Sequence, residues 1–110
     1  LRQRSTSTTS DAIALLTEFT AGKALTDYGR EPMLRAAVER KFEIIGEALA
    51  QLAKSDPEVV GGISEYQRII AFRNILIHGY ADVVDRLVWD VIETKLPILS
   101  QEVEAILRSE

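Results

Sequence analysis

Apolar residues recur along this chain at steps of three and four, and no stretch alternates apolar and polar positions long enough to predict a strand. The pattern predicts an all-α fold. A first helix is expected from about residue 9 to about 22, because Thr8 and Asp11 have capping-box spacing and Ala12, Ile13, Leu15, Leu16 and Phe19 form an apolar face. Gly22, Asp27 and Gly29 mark a connection. Pro32 suits the first turn of a second helix, where its missing N–H costs no hydrogen bond. That helix is expected to reach about Lys54, with a core stripe of Leu34, Val38, Phe42, Ile45, Leu49 and Leu52. Arg35, Glu39, Glu43 and Glu47 fall on its solvent side. Gly46, in mid-helix, costs about 1 kcal/mol relative to alanine and predicts a close helix approach.

Ser55-Asp56-Pro57 breaks the second helix, and Gly61-Gly62 leads to a third that is expected to start near Ser64. Ile69, Ile70, Ala71, Phe72, Ile75, Leu76 and Ile77 cover more than one of its faces, which places it centrally or at a subunit interface. Gly79 is its expected C-cap. A last helix from about Val83 carries Leu87, Val88, Val91, Ile92, Leu96, Leu99, Val103 and Ile106, and Pro97 is expected to kink or divide it. Trp89 on this helix is expected in the core or an interface rather than as a base-stacking platform.

Composition narrows the class. At 110 residues, with 46% hydrophobic and 27% charged, the chain suits one globular domain, small enough to gain from oligomerisation. The absence of cysteine excludes disulfides and thiolate metal sites. No segment approaches the roughly 20 apolar residues that span a bilayer, so a cytoplasmic protein without membrane contact is expected. The net charge of −4 argues against long-range attraction to nucleic acid, yet leaves room for a small basic cleft. Residues 1–8 are expected to be a frayed or trimmed lead-in, despite a superficial likeness to a transit peptide, with a single helical domain over 9–110.

The chemistry concentrates in Arg73-Asn74-Ile75-Leu76-Ile77-His78-Gly79-Tyr80, which sets an arginine, the only histidine and a tyrosine in an oily helix. Buried charge is costly without partners. Arg73 and His78 lie about 140° apart on an ideal helix, whereas Asn74 and His78 share a face. Convergence therefore needs the helix to end near His78 or a second copy to bring its own pair alongside. Arg73 would then hold a phosphate while His78 moves a proton, and an RNA 2′-hydroxyl would serve as nucleophile without metal or cofactor. Asn74 would orient the imidazole or the substrate. The alternative is structural: Arg73 and His78 cap buried carbonyls and pair with Glu65 or Asp82. Glu43 and Glu47 read as solvated charges beside Arg40 rather than a metal site.

Arg73, Asn74, His78 and Tyr80 match the R-x4-H-x-Y signature of the HepT-like toxins of the HEPN superfamily, which this chain resembles from about residue 12 to about 107. The segments Leu34-Arg35-x-Ala37-Val38-Glu39-Arg40 and Ile44-Ile45-Gly46-Glu47-Ala48-Leu49 look like that family's second helix. Trp89 and Leu96-Pro97-x-Leu99 look like its last, and Tyr66 stands where the family often has tryptophan. Two features depart from the pattern: the start of the first helix, and Val84 at a place where an acidic or polar residue is common. The resemblance implies an antiparallel four- to five-helix bundle in a two-fold homodimer. It implies metal-independent ribonuclease activity with Arg73 and His78 catalytic and Asn74 supporting. It also implies a minimal nucleotidyltransferase antitoxin that neutralises the toxin by attaching AMP to Tyr80. The rival expectation is a catalytically silent helical dimer that binds the nucleotidyltransferase.

Overall fold

The computed structural model describes the backbone of residues 2–78 and 81–109 and the side chains of 4–77 and 85–109. Every element in them is helical: α1 (Arg2–Thr20), α2 (Leu25–Arg30), α3 (Pro32–Ser55), α4 (Pro57–Val60), α5 (Tyr66–His78), α6 (Ala81–Asp90), a π-helical turn (Val91–Lys95) and α7 (Leu96–Arg108). The fold is all-α. The long α3 is the spine; α1 packs along it most extensively, α5 crosses it, and α7 closes against α1.

The core stripe expected on α3 is buried throughout, from Leu34 to Leu52, and meets Ala12, Ile13 and Leu16 of α1 and Phe72 of α5. Phe42 and Phe72 make the α3–α5 contact edge to face, with ring centroids 5.1 Å apart. Trp89 is buried against Tyr28, at 5.8 Å between centroids, so it is a core residue.

Three boundaries differ from the expected ones. The first helix begins at Arg2, not near residue 9, and the stretch expected to be frayed is helical with Ser5 and Thr6 buried. A run of Ser and Thr disguised this turn. Buried Thr9 and Thr20 satisfy their hydroxyls within the helix, donating to the carbonyls of Ser5 and Leu16 at 2.8 Å each. The connection between the first two long helices contains α2, whose N-terminus is capped when Asp27 accepts the Ala24 N–H at 2.8 Å. Fully buried Tyr28 anchors it. The last helix divides as Pro97 predicts, but the break is one turn of π-helix placed so that Pro97 falls in the first turn of α7.

Arg35 is a further correction. Expected on the solvent side, it instead lies over the Tyr28 ring at 4.6 Å and pairs with Asp85 of α6 and, at 3.7 Å, with Glu39. The Tyr28 hydroxyl donates to Glu39 at 3.4 Å. Burial, with the nearby Glu39 carboxylate, raises the Tyr28 pKa well above its ordinary value, and the hydrogen bond to Asp85 raises that of Arg35. Among the described residues no helix is long and apolar enough to cross a membrane.

Candidate active site

The site is built where α5 crosses α3 at Gly46. A Cβ placed on Gly46 would stand 2.6 Å from the Cβ and 2.8 Å from the Cδ of Arg73, closer than real side chains approach. The close approach that the mid-helix glycine predicts is therefore a slot for the stem of Arg73. Once seated, the guanidinium reaches one residue further along α3: Nη1 donates to Oε2 of Glu47 at 2.6 Å. Nη2 donates to Oδ1 of Asn74 at 3.1 Å. The Nε–H is buried and has no hydrogen-bond partner among the described residues.

These contacts revise the sequence reading. Arg73 pairs with Glu47 rather than Glu65, which binds Lys95 at 2.9 Å and Arg68 at 3.0 Å and is held below its ordinary pKa chiefly by the Lys95 hydrogen bond. Glu47 is thus more than a solvated charge. Its carboxylate orients the arginine while remaining 61% exposed itself, whereas the Arg73 side chain is 21% exposed. A bidentate-capable guanidinium held at the rim of an opening is suited to grip a phosphate. Asn74 belongs to the same constellation through Arg73. The signal that marks Glu47 is its place directly after the slot glycine.

His78 is the last residue of α5, about 7.5 Å along the helix axis from Arg73. Its side chain lies outside the described residues, as do Gly79, the expected C-cap, Tyr80, the expected modification site, and the Asp82 side chain.

Arg73 opens on a cleft of about 420 Å³ between α1, α3 and α5. Arg4 and Thr8 contribute from α1, Arg40, Glu43, Glu47 and Gln51 from α3, and Ile77 from α5. Arg40 pairs with Glu43 at 3.3 Å. A second groove, of about 440 Å³, runs between α5, the π-helical turn and α7 and is chiefly apolar, with Ile75, Leu87 and Ile98 partly exposed along it. Among the described residues no three or more His, Cys, Asp or Glu side chains form a group able to hold a metal ion.

The chain has relatives among known proteins. Over 95 residues the chain is 35% identical to "Putative RNase TTE0752" of Caldanaerobacter subterraneus subsp. tengcongensis, covering 86% of this chain and 84% of that one. It is 32% identical over 89 residues to "Putative RNase MJ1380" of Methanocaldococcus jannaschii, covering 81% of each. With "Probable ribonuclease HepT" of Thermococcus cleftensis it shares 29% identity over 101 residues, 88% of this chain and 87% of that one. No solved structure matches the chain. The family described as "Ribonuclease HepT-like" matches residues 9–106, from the middle of α1 into the last turns of α7, and the chain belongs to that family.

Proposed function

We propose that this chain is the ribonuclease toxin of a toxin–antitoxin pair, cutting RNA without a metal at a site built from Arg73 and His78. The carrying observation is the seating of Arg73: its stem fills the Gly46 slot, Glu47 and Asn74 aim its guanidinium, and it stands on the wall of an open cleft. A preformed cation of this kind stabilises the charge that develops on a phosphate without reorganising during the reaction. His78, at the C-terminus of α5, takes the 2′-hydroxyl proton; the 2′-oxygen attacks phosphorus, the bond to the 5′-oxygen breaks, and that oxygen leaves with a proton returned by the imidazolium through water, so the product carries a 2′,3′-cyclic phosphate. Asn74 supports by holding Arg73.

In this reading the active form is a two-fold homodimer that brings two Arg73/His78 pairs together. Ile77, 55% exposed at the edge of the Arg73 cleft, and Ile75, 37% exposed on the other side of α5, support a partner covering this helix. Tyr80 is the point of control: a nucleotidyltransferase antitoxin attaches AMP there, adding bulk and negative charge two residues beyond His78, where it competes with substrate phosphate.

The test is direct. Purified protein should cut single-stranded RNA equally well with and without EDTA, leaving 2′,3′-cyclic phosphate ends, and Arg73→Ala or His78→Ala should abolish cutting while the helical content stays intact. Cutting that survives both substitutions, or that EDTA stops, overturns the assignment. Mass spectrometry after treatment with ATP and the cognate nucleotidyltransferase should find AMP on Tyr80; an adduct on Tyr28 or Tyr66 instead removes Tyr80 from the scheme.

A further inference from the structure

The cleft beside Arg73, of about 420 Å³, is larger than one phosphate needs. Three arginines from three helices, Arg4, Arg40 and Arg73, face two glutamates, leaving one net positive charge on a chain whose formal charge is −4. Both glutamates are paired with arginines of the cleft: Glu43 with Arg40 at 3.3 Å and Glu47 with Arg73 at 2.6 Å. Arg40, Glu43, Glu47 and Gln51 follow one face of α3, at steps of three and four. Arg40 therefore lies about 10 Å along the axis from Glu47, the residue that holds Arg73. Thr8 and Gln51 add a hydroxyl and an amide, both hydrogen-bond donors, to the same walls. Arg4 makes no ion pair among the described residues, and the Arg40 side chain is 68% exposed.

We propose that this cleft is the track for a single-stranded RNA backbone leading to the site, with Arg40 and Arg4 binding phosphates that do not react. Glu43 and Glu47 act there as stand-ins for phosphate in the free protein. Each presents an oxyanion to a guanidinium, so at Arg40 and Arg73 an incoming strand exchanges one anion for another. The exchange also sets a threshold. An isolated monoanion gains little by displacing a tethered carboxylate, whereas a strand with successive phosphates displaces both and engages Arg4 as well. The acidic balance of the whole chain then limits attraction of polyanions elsewhere on its surface. The inference rests on the ribonuclease reading for its choice of RNA, but its evidence is the cleft outside the Arg73/His78 pair.

The experiment separates the two. A fluorescein-labelled 2′-O-methyl oligoribonucleotide, which lacks the attacking hydroxyl, is titrated with the full chain and followed by anisotropy. The Arg4→Ala/Arg40→Ala double variant should bind at least tenfold more weakly. Its slope of log affinity against log salt should be shallower by about 1.4, since each lost contact to a single strand removes about 0.7. On cleavable RNA the same variant should raise KM and leave kcat within about twofold. Glu43→Gln/Glu47→Gln should bind several-fold more tightly. Arg30→Ala/Arg108→Ala, with the same change in net charge away from the cleft, should bind as the unaltered chain does. The track is overturned if the Arg4/Arg40 variant keeps the unaltered affinity and salt slope, if the control pair weakens binding equally, if the glutamine pair fails to tighten it, or if the unaltered chain does not bind the probe. A chain that binds in the expected pattern yet never cuts RNA overturns the ribonuclease reading and leaves the track standing.

Discussion

Two arginines of this chain sit between packed helices with a carboxylate on each, and they are built for different purposes. Arg35, itself 30% exposed, is held by carboxylates that are largely covered. Asp85, 25% exposed, and Glu39, 33% exposed, take its donors, and Tyr28 lies against its face. Arg73 has a stem just as confined, in the Gly46 slot, but its partner Glu47 is 61% exposed and stands on a cleft wall. Partial burial of an arginine is therefore not by itself a mark of function. The difference lies in the partner: a confined carboxylate makes the pair a fastener, here joining α3 to α6, whereas an exposed one can be exchanged for a ligand.

Removing each arginine in turn should separate the two roles. Arg73→Ala should abolish RNA cleavage, a loss of at least roughly a thousandfold, with little change in Tm, because the loss falls on the reacting phosphate. Arg35→Ala should do the reverse, costing about 2 kcal/mol of stability by leaving Asp85 and the Tyr28 face without their cation, with cleavage retained at temperatures where the protein stays folded. Equal stability losses from both, measured by urea unfolding, would erase the distinction.

Gly46→Ala sharpens it further. The added methyl meets Arg73 at its Cβ, so α5 must shift or the side chain must leave its slot. Overpacking costs about 1–3 kcal/mol and the gain in helix propensity returns about 1 kcal/mol, so the net loss of stability should be at most about 2 kcal/mol. Activity should fall much more than stability, by about a hundredfold, as expected for a reacting group displaced by an ångström. A variant with raised Tm and full activity would show that the slot does not position Arg73.

The smallest expected effect concerns pH at the Arg35 cluster. Burial raises the Tyr28 pKa above its ordinary value of 10.0, so the unfolded chain releases a proton that the folded chain keeps. Stability from this group is complete below that value and declines as pH rises beyond it. Urea unfolding should show the decline setting in near the ordinary tyrosine value of 10.0 and continuing as pH rises above it, and Tyr28→Phe, which cannot ionise, should lessen it. An identical decline in both proteins would separate Tyr28 from the alkaline response.

Much of this was legible in the chain alone, and the misses have a common cause. The α3 stripe from Leu34 to Leu52, the helix breaks at Pro32 and Asp56-Pro57 and the division near Pro97 follow from periodicity and from the missing N–H of proline, both local. The first two turns of α1 escaped because Ser and Thr look like loop residues, although a helix can satisfy their hydroxyls within itself. Short α2 escaped because Tyr28, the residue that anchors it, finds its burial among distant residues.

The helical class, the core stripe and the short list of chemistry-bearing residues around Arg73 could be read from the chain, since these depend on residue type and on spacing within one helix. Which arginine meets which carboxylate was fixed by the packing of the helices on one another. Arg73 and Glu47 lie 26 positions apart and Arg35 and Asp85 lie 50 apart, and no periodicity within a helix reports on a partner from another. Gly46 joins the two levels: as a residue it announces that something comes close, and the packing of α5 on α3 makes that something the guanidinium stem of Arg73.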